Sequence, residues 1–137
     1  MQWRYFEGLA AALWTKQGYS FCYCTPQSGD LGVDVVAISG GKGVLIQTKT
    51  SGQDGAKLGW ETVKDVSTGA AHYQKQHPHV NFRKVGLTNQ FFNPSAHQQA
   101  QLNGVELIDQ NGLAQLLEQY PVKMLEIEQI LFSEWER

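Results

Sequence analysis

The stretch Val33-Asp34-Val35-Val36-Ala37-Ile38-Ser39-Gly40-Gly41-Lys42-Gly43-Val44-Leu45-Ile46-Gln47-Thr48-Lys49-Thr50 decides the reading of this chain. Two β-branched runs flank a glycine-rich turn, the pattern of a β-hairpin. Whether the loop is Gly41-Lys42 or Gly40 to Gly43, a symmetric hairpin places Asp34 opposite Lys49 and Val36 opposite Gln47. Because side chains alternate along a strand, Asp34, Gln47 and Lys49 are expected on one face at one end of the hairpin, and a one-residue bulge would break that parity. An Asp and a Lys across a hairpin are ordinarily a surface ion pair. Here, however, Asp34 interrupts Val33-Val35-Val36, while Gln47 and Lys49 follow Val44-Leu45-Ile46, and polar residues inside such runs need partners or a task.

Outward from the hairpin, Tyr5–Gln17 reads as an amphipathic helix with Phe6, Leu9, Ala10 and Leu13 on one face and Glu7 beside that stripe. Tyr19–Cys24 suits a short strand stopped by Thr25-Pro26, and Gln27-Ser28-Gly29-Asp30 reads as a turn that Asp30 caps. Downstream, the pattern predicts a helix over 58–76 interrupted by Gly69, a strand over 82–88, and a helix from Asn93-Pro94 to Gly104. A strand over 105–108 and a helix from about Asn111 to Gln119 follow. Strands alternating with helices after a hairpin imply an α/β fold, a mixed central sheet flanked by helices. Val122–Arg137 carries Leu125, Ile127, Ile130, Leu131, Phe132 and Trp135, and is expected to be a terminal helix packed on its own domain or on a partner. The organisation expected is one domain over residues 1–120 followed by that helix over 121–137.

The 137 residues suffice for one core. No apolar run approaches the roughly 20 residues that cross a bilayer, and the N-terminus lacks a signal-peptide layout, so a cytoplasmic address without membrane association is the expectation. Cys22 and Cys24 read as small strand thiols, since His72, His77, His79 and His97 are not spaced to complete a zinc site. The net charge of −2 does not announce nucleic-acid binding, but five acids (Glu118, Glu126, Glu128, Glu134, Glu136) fall in the last twenty residues, and the remainder is mildly basic. Trp3, Trp14 and Trp60 read as core or interface aromatics, although one exposed near the site could stack a base.

A carboxylate, an oxygen ligand and a lysine on adjacent strands suit phosphodiester hydrolysis. Asp34, the Gln47 side-chain carbonyl and the Thr48 backbone carbonyl could contribute to a Mg²⁺ shell, with Mn²⁺ as a substitute, and Glu7 would restore the negative charge that glutamine lacks. Lys49 would orient water or stabilise charge. The segment Ser51-Gly52-Gln53-Asp54-Gly55, directly after the active strand, is expected to contact substrate.

These residues resemble the Mrr-type restriction endonuclease domain of the PD-(D/E)XK nuclease superfamily. The likeness runs through Phe6-Glu7 and its helix, Gly18-Tyr19, Ser28-Gly29-Asp30-Leu31-Gly32-Val33-Asp34, and Val44-Leu45-Ile46-Gln47-Thr48-Lys49. It continues through Leu87-Thr88-Asn89, Ala96, Ala100 and Gly104-Val105-Glu106-Leu107-Ile108. It covers about Phe6 to Leu117 and implies a restriction-endonuclease-like fold with a hairpin-borne active site. It also implies action on foreign or modified DNA, metal ligation by Asp34 and Gln47, a catalytic Lys49 and a helical acid at Glu7. Full-length enzymes of this type usually carry a separate DNA-reading domain, so the chain is expected to be either an isolated catalytic domain or a minimal enzyme that gains reach by oligomerising. Two other readings stay open: a non-cleaving DNA-binding or assembly module, and a structure-selective nuclease resembling a junction resolvase. A homodimer or higher homo-oligomer is expected, and the resolvase reading would require a two-fold dimer.

Overall fold

The computed structural model describes residues 3–26 and 31–135, with the side chains of 133–135 undescribed. The predicted turn at Gln27-Ser28-Gly29-Asp30, including the capping role of Asp30, lies outside the described residues, as does the side chain of Trp135.

Helix α1 (Trp3–Lys16) leads into an antiparallel meander of β1 (Phe21–Cys24), β2 (Val35–Ser39) and β3 (Lys42–Lys49). Past β4 (Lys57–Leu58), helix α2 (Glu61–Gln76) crosses to β5 (Asn81–Thr88), which lies parallel to β3. After β6 (Phe91–Phe92), helix α3 (Pro94–Asn103) crosses to β7 (Val105–Ile108), parallel to β5. Helices α4 (Gln110–Gln119) and α5 (Met124–Trp135) complete the chain. The main sheet therefore runs β1-β2-β3-β5-β7, mixed as expected, and β4 and β6 form a separate parallel pair that the sequence reading did not include.

Alternation along the central strands divides two cores. Val35, Ala37, Val44, Ile46, Val85 and Leu87 face α1, α4 and α5, whereas Val33, Val36 and Leu45 face α2 and α3. The two crossover helices share one face because both parallel steps proceed in the same direction along the sheet, as crossovers of one hand require. Gly69, which interrupts the helical pattern, has a spatial reason: a Cβ there would lie 2.1 Å from the Leu31 carbonyl oxygen. The chain segment preceding Asp34 thus lies directly on α2.

Helix α5 lies along α1. Ile127 and Leu131 are buried in the α1-side core, opposite Gly8, where a Cβ would meet Ile127 at 2.9 Å. Lys16 Nζ donates to the Pro121 carbonyl at 2.7 Å and pairs with Glu126 at 2.9 Å. Leu125 and Phe132, on the other side of α5, are exposed. No helix among the described residues is long and apolar enough to cross a membrane.

Candidate active site

The hairpin forms, but with a different register. Ser39 pairs with Lys42, so the turn is Gly40-Gly41, with Gly40 at φ 60°, the first turn position, where a type II′ turn requires a positive angle. Val36 faces Leu45 rather than Gln47, and Asp34 is not opposite Lys49. The predicted pairing is therefore displaced by two residues, because the turn closes one residue earlier than Gly41-Lys42. Such a displacement alone preserves the faces.

A second departure does not. Val35 pairs with Ile46, yet the Asp34 amide also donates to the Ile46 carbonyl at 2.8 Å, so two successive residues oppose one. This is the bulge arrangement, which re-aims a side chain. Its effect shows in the flanking valines: Val33 and Val36 both lie in the α2-side core, three positions apart, and Val35 lies in the other. Asp34, a residue 7% exposed, consequently turns its carboxylate to Thr48, which continues the Val44, Ile46 face. Asp34 Oδ2 accepts from the Thr48 amide at 2.9 Å and from Thr48 Oγ1 at 2.8 Å. The Thr48 hydroxyl is thus a positioning group that the sequence reading, which used only its carbonyl, did not identify.

Gln47 reaches the same carboxylate from its other side. Its carboxamide faces Asp34 Oδ2 at 3.2 Å and the Gly32 carbonyl at 3.0 Å, and donates to both when its nitrogen points toward them. Rotated by half a turn, the amide brings its oxygen beside those two oxygens, a donor set that suits a hard divalent cation. Among the described residues no three His, Cys, Asp or Glu side chains gather as a metal site. An ion here would therefore draw on amide and backbone oxygens as well as carboxylates.

Glu7, 5% exposed, comes from the α1 face rather than from the sheet. Arg4 Nη1 donates to Glu7 Oε1 at 2.6 Å and to the Thr25 carbonyl at 3.2 Å, fixing the carboxylate one helical turn into α1. Arg4 was not singled out in the sequence, although its i, i+3 spacing from Glu7 on a helix was the available signal. Glu7, Asp34, Thr48 and Lys49 border one pocket of about 350 Å³, together with Trp3 and Thr50. The structure therefore brings together all the predicted site residues, with Gln47 adjoining through Asp34. The pocket lies where β3 ends, and ligand sites of α/β sheets characteristically lie beyond the carboxyl ends of their strands.

The neighbouring loop is fastened at both ends. The Ser51 amide donates to Asn89 Oδ1 at 2.9 Å while Asn89 Nδ2 returns to the Ser51 carbonyl at 3.1 Å, and the Gly55 amide donates to Gln90 Oε1 at 3.0 Å. Of the tryptophans, Trp14 is buried as expected, but Trp3 and Trp60 are exposed and belong to no core; Lys64 lies over the Trp60 ring.

Several solved structures share this architecture. The protein of unknown function AF1548 aligns with a TM-score of 0.71 at 19% identity, covering 86% of this chain and 66% of its own. The MspJI restriction endonuclease, solved in complex with a 27-mer oligonucleotide, gives 0.62 at 21% identity, covering 99% of this chain and 32% of its own. The DNA modification-dependent restriction endonuclease AspBHI gives 0.56 at 18% identity, covering 93% and 34%. At these identities the likeness is one of fold, and the chain spans less than two thirds of AF1548 and about a third of each enzyme. No curated protein matches the sequence. The sequence does match the Mrr_cat restriction endonuclease family over residues 1–117, which takes in α1, the hairpin and every site residue above. On that match, and with a restriction-endonuclease fold around it, the chain belongs to the Mrr_cat restriction endonuclease family.

Proposed function

We propose that this domain is a divalent-metal-dependent endonuclease that hydrolyses phosphodiester bonds in DNA. The observation that carries the reading is the convergence of Glu7 from α1, Asp34 from the bend before β2, and Thr48 and Lys49 from β3 on one pocket. Asp34, Gln47, Glu7 and the Thr48 carbonyl would hold Mg²⁺ or Mn²⁺, which when bound polarises a phosphoryl oxygen and lowers the pKa of water. In hydrolysis, a water oxygen forms a bond to phosphorus, a P–O ester bond breaks, and the departing oxygen takes up a proton. Lys49 supplies positive charge where negative charge develops on the phosphoryl oxygens. Thr48 holds Asp34 through two hydrogen bonds, and Arg4 holds Glu7, so both carboxylates are oriented before substrate arrives. Residues 1–120 would form the catalytic unit and 121–137 a C-terminal unit whose helix α5 braces α1. The modification-dependent activity named for AspBHI makes foreign or modified DNA the substrate class to try first.

A second reading, a DNA-binding module without cleavage, is favoured by one feature: Arg4 offsets the charge of Glu7, and Gln47 adds none. Nicking of supercoiled plasmid with Mg²⁺ or Mn²⁺ separates the two. Cleavage by the wild type that is lost in Asp34→Ala and in Lys49→Ala supports the nuclease. Absence of metal-dependent cleavage on plain, methylated and branched DNA leaves the binding module.

A further inference from the structure

Trp3 is 49% exposed, and a single exposed aromatic is by itself unremarkable on a protein surface. Its position gives it meaning. Trp3 borders the pocket shared by Glu7, Asp34 and Lys49, and it is the one aromatic among the described residues lining it. It also lies four residues before Glu7 in α1, so the two side chains sit on one helix face, one above the other. Four residues of helix advance about 6 Å, which sets the Trp3 backbone one helical step from that of Glu7, at the border of the pocket that Lys49 also lines. Lys49 and Thr50, on the β3 side of the same pocket, offer a cation and a hydroxyl to a phosphate.

Resting on the nuclease reading above, we infer that Trp3 stacks on an unpaired base adjoining the scissile phosphate, so that the domain prefers single-stranded, frayed or extruded nucleotides at the cleavage position. The physical reason is geometric. Inside a duplex both faces of each base are covered by neighbours, whereas an indole can cover a base only after that base has left the stack. Stacking tolerates any base because each has a π-face, so Trp3 selects strand state rather than sequence.

The test is fluorescence anisotropy with labelled oligothymidylate and with a blunt duplex, Ca²⁺ replacing Mg²⁺, on wild type, Trp3→Ala, Trp3→Phe and the control Trp60→Ala. Trp3→Ala is expected to weaken single-strand binding roughly 5- to 150-fold, with Trp3→Phe retaining most of the affinity and duplex binding little changed. Trp60→Ala should match the wild type, and the difference in tryptophan emission between wild type and Trp3→Ala should be quenched by the single strand. Because Trp3 is half-exposed, its truncation leaves the core intact, which the near-ultraviolet circular dichroism checks. Unchanged single-strand binding by Trp3→Ala, or equal weakening on duplex and single strand, overturns the stacking role while Asp34-dependent nicking keeps the nuclease reading. A wild type that binds neither form overturns the stacking role, and absence of Asp34-dependent nicking overturns the nuclease reading.

Discussion

Replacing Gly69 by alanine sets two physical effects against each other. Helix propensity favours alanine by about 0.8–1 kcal/mol in a helix interior. Against it, the new Cβ would lie 2.1 Å from the Leu31 carbonyl oxygen and 2.9 Å from Val33 Cγ2, so backbone would have to retreat by more than about 1 Å to restore ordinary contact. That retreat is resisted. Leu31 already holds a φ of 56°, and the adjacent Gly32 is itself packed so closely that a Cβ there would meet the Asp65 carbonyl at 2.1 Å. Overpacking of this kind costs about 1–3 kcal/mol, and a backbone obstacle belongs at the upper end. The net expectation is a loss of about 2 kcal/mol, which lowers the melting temperature by roughly 4–8 °C in a domain of this size. Since Leu31 is three residues from Asp34, plasmid nicking by the folded variant should fall as well. Calorimetry alongside the nicking assay provides the measurement. A melting temperature equal to or above the wild type, with nicking intact, would refute the claim that the segment before Asp34 is seated on α2.

Two further outcomes follow from buried groups. Arg4→Met should cost about 3–5 kcal/mol by urea unfolding, because it removes the guanidinium paired with the buried Glu7 carboxylate. The double variant with Glu7→Gln should lose less than Arg4→Met alone, and additive losses would show that the pair is not coupled. Burial pushes the Cys22 thiol above its ordinary pKa, against a smaller opposing hydrogen bond from Thr15. The stability this thiol contributes is therefore complete below its ordinary pKa and is lost as pH rises through the raised folded value. Wild type should accordingly lose more of its urea resistance than Cys22→Ala between pH 8 and strongly alkaline pH, and parallel curves would contradict the assignment.

What could be read from the sequence was what local chemistry determines. Asn93-Pro94 opens α3 because the Asn93 side chain accepts the Ala96 amide at 2.9 Å, a bond spanning only three residues. The same logic, applied one cap late, put the start of α4 near Asn111, whereas Asp109 provides the cap through Gly112. The identity of the site residues was legible because Asp34, Gln47 and Lys49 break apolar runs. Their arrangement was not. Gly40-Gly41 and Gly41-Lys42 are both acceptable turns, and the bulge at Asp34 depends on its bonds to Ile46 and Thr48 across the sheet. Arg4 and the Asn89 clasp on Ser51 went unread for the same reason, being partners defined by tertiary contact. The pair β4 and β6, two residues each, is too short to leave a periodic trace.

The unmatched residue at Asp34 also bears on how this hairpin tolerates change. A ladder of uniform valines and isoleucines could slide by two positions and keep every side chain on its own face. Here only one alignment seats 34 and 35 together against Ile46, so the bulge works as a key that locks the strands lengthwise. Residues added between Gly40 and Gly41 would then collect in the exposed turn instead of feeding into the ladder. That turn, at the opposite end of the hairpin from Asp34 and Lys49, is a natural point for attaching a reporter peptide without disturbing the pocket.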